Sequence, residues 1–219
     1  SGRLTPLVGR EQEIGFLLRC WRKAEKGQGN VVVLSGEAGI GKSRLTAALA
    51  ETLKGEPVVR LRYFCSPQHT DSAFYPIIGQ MTRRAGLARE DDAKTTLDKL
   101  DKLLAISATT REEAALLADM LSLPSDGRYP ELDLIPTLKR ERTIEALTGR
   151  IEVVSRELPV LMILEDAHWA DPLTLEAFGR VVDKIGSQRV LLVVTSRLES
   201  GAPWVGRPQV TKLTISDGE

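Results

Sequence analysis

An α/β fold around a parallel sheet is the expectation for this 219-residue chain. Three observations carry it. Short, almost purely apolar runs recur along the chain; stretches with helical spacing separate them; and the first run leads straight through a glycine-rich turn into a helix. The apolar runs are Val31-Val-Val-Leu34, Val160-Leu-Met-Ile-Leu164 and Val190-Leu-Leu-Val-Val-Thr195, with Val58-Val-Arg-Leu-Arg-Tyr-Phe64 as a second strand and Val210-Thr-Lys-Leu-Thr-Ile215 as a fifth. Strands that alternate with helices in this way predict a parallel sheet covered on both faces.

Glu11 to Ala24 carries Ile14, Leu17, Leu18 and Trp21 at helical spacing, and Gly27-Gln-Gly-Asn30 is the loop that feeds the first strand. After the glycine-rich turn a helix is expected to about Leu53, where Gly55 and Pro57 end it. From about 66 to 157 no convincing strand occurs and several helix signatures follow one another, so this stretch reads as a helical insertion. Thr110-Arg-Glu-Glu113 is a capping box ahead of Ala114, Leu117, Ala118 and Leu121. Leu97, Leu100, Leu103 and Leu104 alternate with Asp98, Lys99, Asp101 and Lys102, which predicts a buried stripe beneath a solvated charged face. Leu138, Ile144, Leu147, Ile151, Val154 and Leu158 form a second stripe, expected to pack in the core. Asp171-Pro172 then reads as an N-cap followed by proline at the first helical position, with Leu173, Phe178, Val181, Val182 and Ile185 on a buried face that ends at Gly186.

Composition narrows the partners. Thirty basic and thirty acidic residues cancel, which argues against a nucleic-acid footprint or attraction to an anionic membrane. Cys20 and Cys65 lack metal-ligand or CxxC spacing and read as reduced, buried thiols. No run approaches the ~20 apolar residues of a membrane span, and no basic-then-apolar leader opens the chain. A cytoplasmic location is therefore expected.

The chemistry begins at Gly36-Glu-Ala-Gly-Ile-Gly-Lys-Ser43, a GxxxxGK[ST] pattern in a strand-loop-helix setting. Glycines let backbone N–H groups turn onto a phosphate, and the following helix adds its positive end. Gly36, Glu37, Ala38, Gly39, Ile40, Gly41, Lys42, Ser43 and Arg44 are accordingly the expected phosphate-binding set. Lys42 supplies charge to the β- and γ-phosphates, and Ser43 offers a hydroxyl ligand to Mg²⁺. A loop that merely caps a helix would not require Gly, Gly, Lys and Ser at these places.

Glu165 and Asp166 close an apolar strand at the sheet edge expected to face that loop. A carboxylate there can hold the Mg²⁺ shell while its neighbour orients or deprotonates a water. Adjacent side chains of an extended strand point to opposite faces, so both can contribute only if the strand has ended by Asp166. Thr195-Ser-Arg197 ends the next strand, where Arg197 is placed to read a γ-phosphate. His69 and His168 have no ligand spacing, and His168-Trp169 is expected to shape the turn after the acids.

Together Pro6-Leu-Val-Gly-Arg-Glu11, the loop GEAGIGKS, the run LMILEDAHWADP and the trio TSR resemble the signal-transduction (STAND) NTPases of the AAA+ lineage. More narrowly they look like the ATPase modules of bacterial multidomain class III adenylate cyclases and large LuxR-type regulators. The phrases Arg62-Tyr-Phe-Cys-Ser-Pro67 and Asp71-Ser-Ala-Phe-Tyr-Pro-Ile77 are closest to the cyclase-linked group. The resemblance runs from Thr5 to about Ile215. It implies a P-loop NTPase core over 3–219, a three-layer α/β/α sandwich with sheet order 5-1-4-3-2, and a helical lid beyond Glu219. It also implies ATP and Mg²⁺ as cofactors, with Val8 and Gly9 lending backbone and Arg10 a polar contact to adenine. Many relatives carry Asp-Glu where this chain has Glu165-Asp166, so the hydrolytic base is not carried over. The implied role is a slowly hydrolysing regulatory switch, or a module that holds ADP or ATP without turnover. Its implied partners are sensor and output domains of a longer chain and other copies of itself.

Overall fold

The computed structural model describes residues 10–107, 109–201 and 203–217. Its elements are α1 (Glu11–Glu25), β1 (Asn30–Ser35), α2 (Lys42–Thr52), β2 (Val59–Phe64), α3 (Tyr75–Ala85), α4 (Ala93–Ala105), α5 (Arg111–Met120), α6 (Pro136–Glu157), β3 (Val160–Glu165), α7 (Pro172–Lys184), β4 (Val190–Ser196) and β5 (Val210–Thr214). The five strands form one parallel sheet in the order β2-β3-β4-β1-β5, which is the 5-1-4-3-2 order of a P-loop NTPase fold. The chain divides into two units, one holding most of the sheet and the other made of Tyr63–Glu157 and Trp169–Val181.

In the sheet unit, the central strands are buried along their length because they are apolar on both faces. Val31 to Leu34 and Val190 to Val194 are wholly inaccessible. Val32, Leu34, Leu161, Ile163, Leu191 and Val193 share one cluster with Leu17, Trp21 and Ala24 of α1, Leu45 and Leu49 of α2, and Leu53 just after it. Each leucine so buried is worth about 1.5–3 kcal/mol over an exposed one, which makes α1 and α2 fixed struts beneath the strand ends. α1 also matches its own dipole, with Glu11 and Glu13 in the first turn and Arg22 and Lys23 in the last. In-register pairs Leu34↔Thr195, Ser35↔Ser196 and Leu164↔Val194 bring the carboxyl ends of β1, β3 and β4 to one level. The functional groups therefore lie together at one sheet edge.

The second unit is helical, and none of its described residues starts a new strand. Side chains start the helices: Thr110 accepts from the Glu113 N–H at 3.1 Å, as expected, and Asp92 from the Thr95 N–H at 2.7 Å. Asp171 does more than cap α7. Its buried carboxylate accepts from the Thr174 N–H at 3.0 Å and also from the Phe74 and Tyr75 N–H groups at 3.0 and 3.3 Å, so it ties the start of α3 to α7. The α4 stripe of Leu97, Leu100, Leu103 and Leu104 is buried. Its charged face is more than solvated, because Asp98 and Asp101 hold Arg128 at 2.6 and 3.0 Å.

The α6 stripe requires correction. Leu138 and Leu158 are 38% and 39% exposed, and Leu147, Ile151 and Val154 are only half-buried. The buried face carries Thr143, Ile144, Ala146, Thr148 and Ser155 instead. The hydroxyls on that face avoid a desolvation cost by donating within the helix. Thr143 donates to the Lys139 carbonyl at 2.8 Å, Thr148 to Glu145 at 3.1 Å and Ser155 to Glu152 at 2.9 Å.

Candidate functional site

β1 leaves the sheet at Ser35, and the loop that follows is tied to the neighbouring strand by the Gly36 N–H, which donates to the Ser196 carbonyl at 3.2 Å. A side chain is excluded at Gly36, where a Cβ would stand 2.9 Å from both the Ile215 carbonyl and the Ile40 side chain. Gly39 and Gly41 take φ of 78° and 110°, conformations that favour glycine. α2 then starts at Lys42 with Gly41 as its N-cap and no side chain capping its first N–H groups. Those donors and the helix dipole suit an anion. Glu37, Ala38, Gly39 and Ser43 are exposed, Ile40 and Arg44 half-buried, so the loop is open to solvent.

Lys42 is 7% exposed and donates its ammonium to the loop carbonyls of Gly36 and Glu37, the latter at 2.9 Å. Burial pushes its pKa below the ordinary lysine value; the Asp166 carboxylate opposes that shift and the Arg197 guanidinium adds to it. His168 is likewise held below the ordinary histidine value, mainly by burial, with Arg197 and Lys42 acting in the same sense and Asp166 against. Lys42, Asp166, His168 and Arg197 thus lie within reach of one another's charge.

Glu165 is 3% exposed and accepts four side-chain hydrogen bonds. Its Oε1 takes them from Thr46 Oγ1 at 2.8 Å and Arg62 Nη2 at 2.9 Å. Its Oε2 takes them from Thr195 Oγ1 at 3.0 Å and Ser43 Oγ at 3.4 Å. β3 ends here: Asp166 is exposed, in the left-handed region at φ 56°, with its N–H donated to Thr195 Oγ1 at 2.9 Å. The chain path therefore frees the two carboxylates from strand alternation. One threonine hydroxyl touches both acidic residues.

Thr46, Arg62 and Thr195 escaped the sequence-derived site set. Thr46 lies one turn beyond Ser43 on the same helix face, and Arg62 sits on the strand that neighbours β3 in the inferred order, so each had a signal. Arg10, expected at the adenine, donates to the Ile40 carbonyl of the loop at 3.2 Å and pairs with Glu13 at 3.5 Å. Val8 and Gly9 lie outside the described residues. His69 stacks on Tyr75 with ring centroids 3.9 Å apart and is bonded to Ser72 at 3.1 Å. Cys20 and Cys65 are buried, and neither forms a disulfide.

No three His, Cys, Asp or Glu side chains cluster as a metal cage among the described residues. The oxygens of Ser43 and Glu165 are the hard donors that fit a magnesium ion, which takes few protein ligands and completes its shell with phosphate and water. Nor is any described helix long and apolar enough to cross a membrane.

A family model described as AAA ATPase domain matches residues 6–194. An uncharacterised protein of Rhizobium meliloti (strain 1021) is 27% identical over 212 residues, covering 96% of this chain and 20% of that protein. The chain thus spans a minor part of the curated relative it matches. Among solved structures, Drosophila ORC bound to DNA is similar over 97% of this chain and 44% of that chain, at 16% identity and a TM-score of 0.50. Cdc6p from Pyrobaculum aerophilum covers 97% and 47%, at 17% identity and a TM-score of 0.48. At these identities the likeness to solved structures is one of fold.

Proposed function

Because this chain belongs to the AAA ATPase domain family, we propose that it is an ATP-binding, slowly hydrolysing switch module within a longer bacterial signalling protein. The observation that carries the reading is the meeting of Ser43, at the start of the loop helix, with the buried Glu165 at 3.4 Å. The match to only 20% of the Rhizobium protein's length is what a module of a longer chain would give.

The phosphates would lie on the N–H groups of residues 36–44, with Lys42 exchanging its carbonyl partners for β- and γ-phosphate oxygens. Ser43 and Glu165 would hold Mg²⁺, with Asp166 at the edge of its shell; the ion supplies charge neutralisation on the phosphates. Asp166, exposed and beside Lys42 in charge, would orient the attacking water and take its proton. Arg197 would meet the γ-phosphate and so distinguish ATP from ADP. Nucleotide-dependent self-association, by analogy with relatives, would let a second copy or a lid exclude water from the reacting phosphate.

A second reading, retention of ADP or ATP without turnover, draws on the saturation of Glu165. Both of its oxygens already accept protein hydrogen bonds. Titration with MgATP, followed by steady-state phosphate release from the wild type and from Lys42→Ala, separates the two. Tight binding with measurable release lost in Lys42→Ala supports the switch; retained nucleotide without release supports the second reading; no binding rejects both.

A further inference from the structure

We propose that Arg10 is a positioning residue of the phosphate loop, acting through the Ile40 carbonyl in place of a contact with the nucleotide base. The inference rests on the loop being a triphosphate site and deepens that reading.

A peptide unit is planar, with its C=O and its N–H on opposite sides. The Ile40 carbonyl receives Arg10 Nη2 at 3.2 Å, so the Gly41 N–H on the far side of that peptide is turned away from Arg10. Gly41, at φ 110°, forms one side of this unit and the β-branched Ile40 the other. Gly41 has no Cβ to hold its side of the peptide, which leaves the direction of the N–H to be set from outside. An outside anchor on the carbonyl selects it.

Arg10 is built for that task. Its side chain is only 14% exposed and its Nη1 meets Glu13 Oε1 at 3.5 Å, while its own carbonyl accepts the first bond of α1 from the Ile14 N–H at 3.0 Å. α1 is in turn fixed by the buried Leu17, Trp21 and Ala24. The guanidinium thus transmits the rigidity of the core to a loop whose glycines have none. Glu13 Oε2 is buried with no hydrogen-bond partner among the described residues, so this carboxylate depends on Arg10. A planar fork reaches the carbonyl and the carboxylate together; a lysine point charge does not fix that geometry.

The test is calorimetric titration of the wild type, Arg10→Lys and Arg10→Met with MgATP, MgGTP and magnesium tripolyphosphate, which has no base. Loss of one charge-assisted anchor should weaken all three ligands alike, by roughly tenfold, with the ATP-to-GTP ratio unchanged. A loss confined to ATP, with tripolyphosphate unaffected, would overturn the proposal in favour of a base contact, and undiminished binding of all three would overturn it outright. If the wild type binds none of them, the phosphate-site reading itself fails, which is a separate result. Thermal melts check that the variants fold. Should Arg10→Met not melt cooperatively, Glu13→Gln decides: a smaller but uniform loss supports the proposal, and a selective loss or none overturns it.

Discussion

Replacing Thr195 by valine removes one oxygen and keeps the shape, and the structure sets the size of the effect. The hydroxyl donates to Glu165 at 3.0 Å and accepts from the Asp166 N–H at 2.9 Å. A hydrogen bond to a charged, buried acceptor is worth about 1.5–3 kcal/mol. The Asp166 N–H adds less than a fully buried orphan because Asp166 is exposed and water reaches it. Valine returns under about 1 kcal/mol through its extra apolar surface. Thr195→Val should therefore cost about 2 kcal/mol in urea denaturation, seen as a lower midpoint at unchanged m-value. Thr195→Ser keeps both bonds, loses a buried methyl and should cost about 1 kcal/mol. The two should part in phosphate release, where serine keeps near wild-type turnover and valine loses most of it, since both acids have lost their common tether. A valine variant as stable and as active as the wild type, or a serine variant equally impaired, would refute the claim that this hydroxyl organises the acids.

Lys42→Ala should abolish most MgATP affinity, a change of order a hundredfold for a cation at a polyphosphate, and an unchanged dissociation constant in titration would remove the lysine from the site. Asp166→Asn should lower turnover more than binding, whereas Glu165→Gln should weaken the Mg²⁺ dependence of binding; the opposite pattern in paired kinetics and metal titrations reverses the roles. The helix-capping bond from the Thr95 N–H holds the Asp92 carboxyl below the ordinary value of 3.8. The folded pKa lies below the unfolded one, so this stabilisation is complete above pH 3.8 and is lost as pH falls through the folded value. Asp92→Ala should accordingly lower the melting temperature at neutral pH, and the difference from wild type should close as pH drops below the carboxylate range. A difference constant with pH would contradict the cap.

The sheet was legible because its central strands are apolar throughout and have no other stable place than between two layers of helix. Strand order was legible only by resemblance: alternation predicts parallel strands without saying that β4 lies between β1 and β3. The phosphate loop could be read residue by residue, since its chemistry is local. The partners of Glu165 could not, because Thr46, Arg62 and Thr195 converge from two strands and a helix scattered along the chain. α6 misled in an instructive way. Hydrophobic spacing finds the apolar face, but Thr143, Thr148 and Ser155 can be buried as well because each satisfies its hydroxyl on its own helix.

The sheet order has a consequence for synthesis. β4 fills the gap between β1 and β3 yet is made last of the three, after the entire helical segment has left the ribosome. Until then Glu165 lacks Thr195, the Gly36 N–H lacks the Ser196 carbonyl, and the loop on β1 is unsupported on its β4 side. At translation rates of about 5–20 residues per second, a nascent chain spends seconds with its phosphate loop made but unbraced. A nucleotide that needs the finished site would bind only to a chain whose sheet is closed. Binding would draw late-folding chains into the finished state and leave incomplete ones for the quality-control machinery, so ligand capture would double as an inspection step at birth.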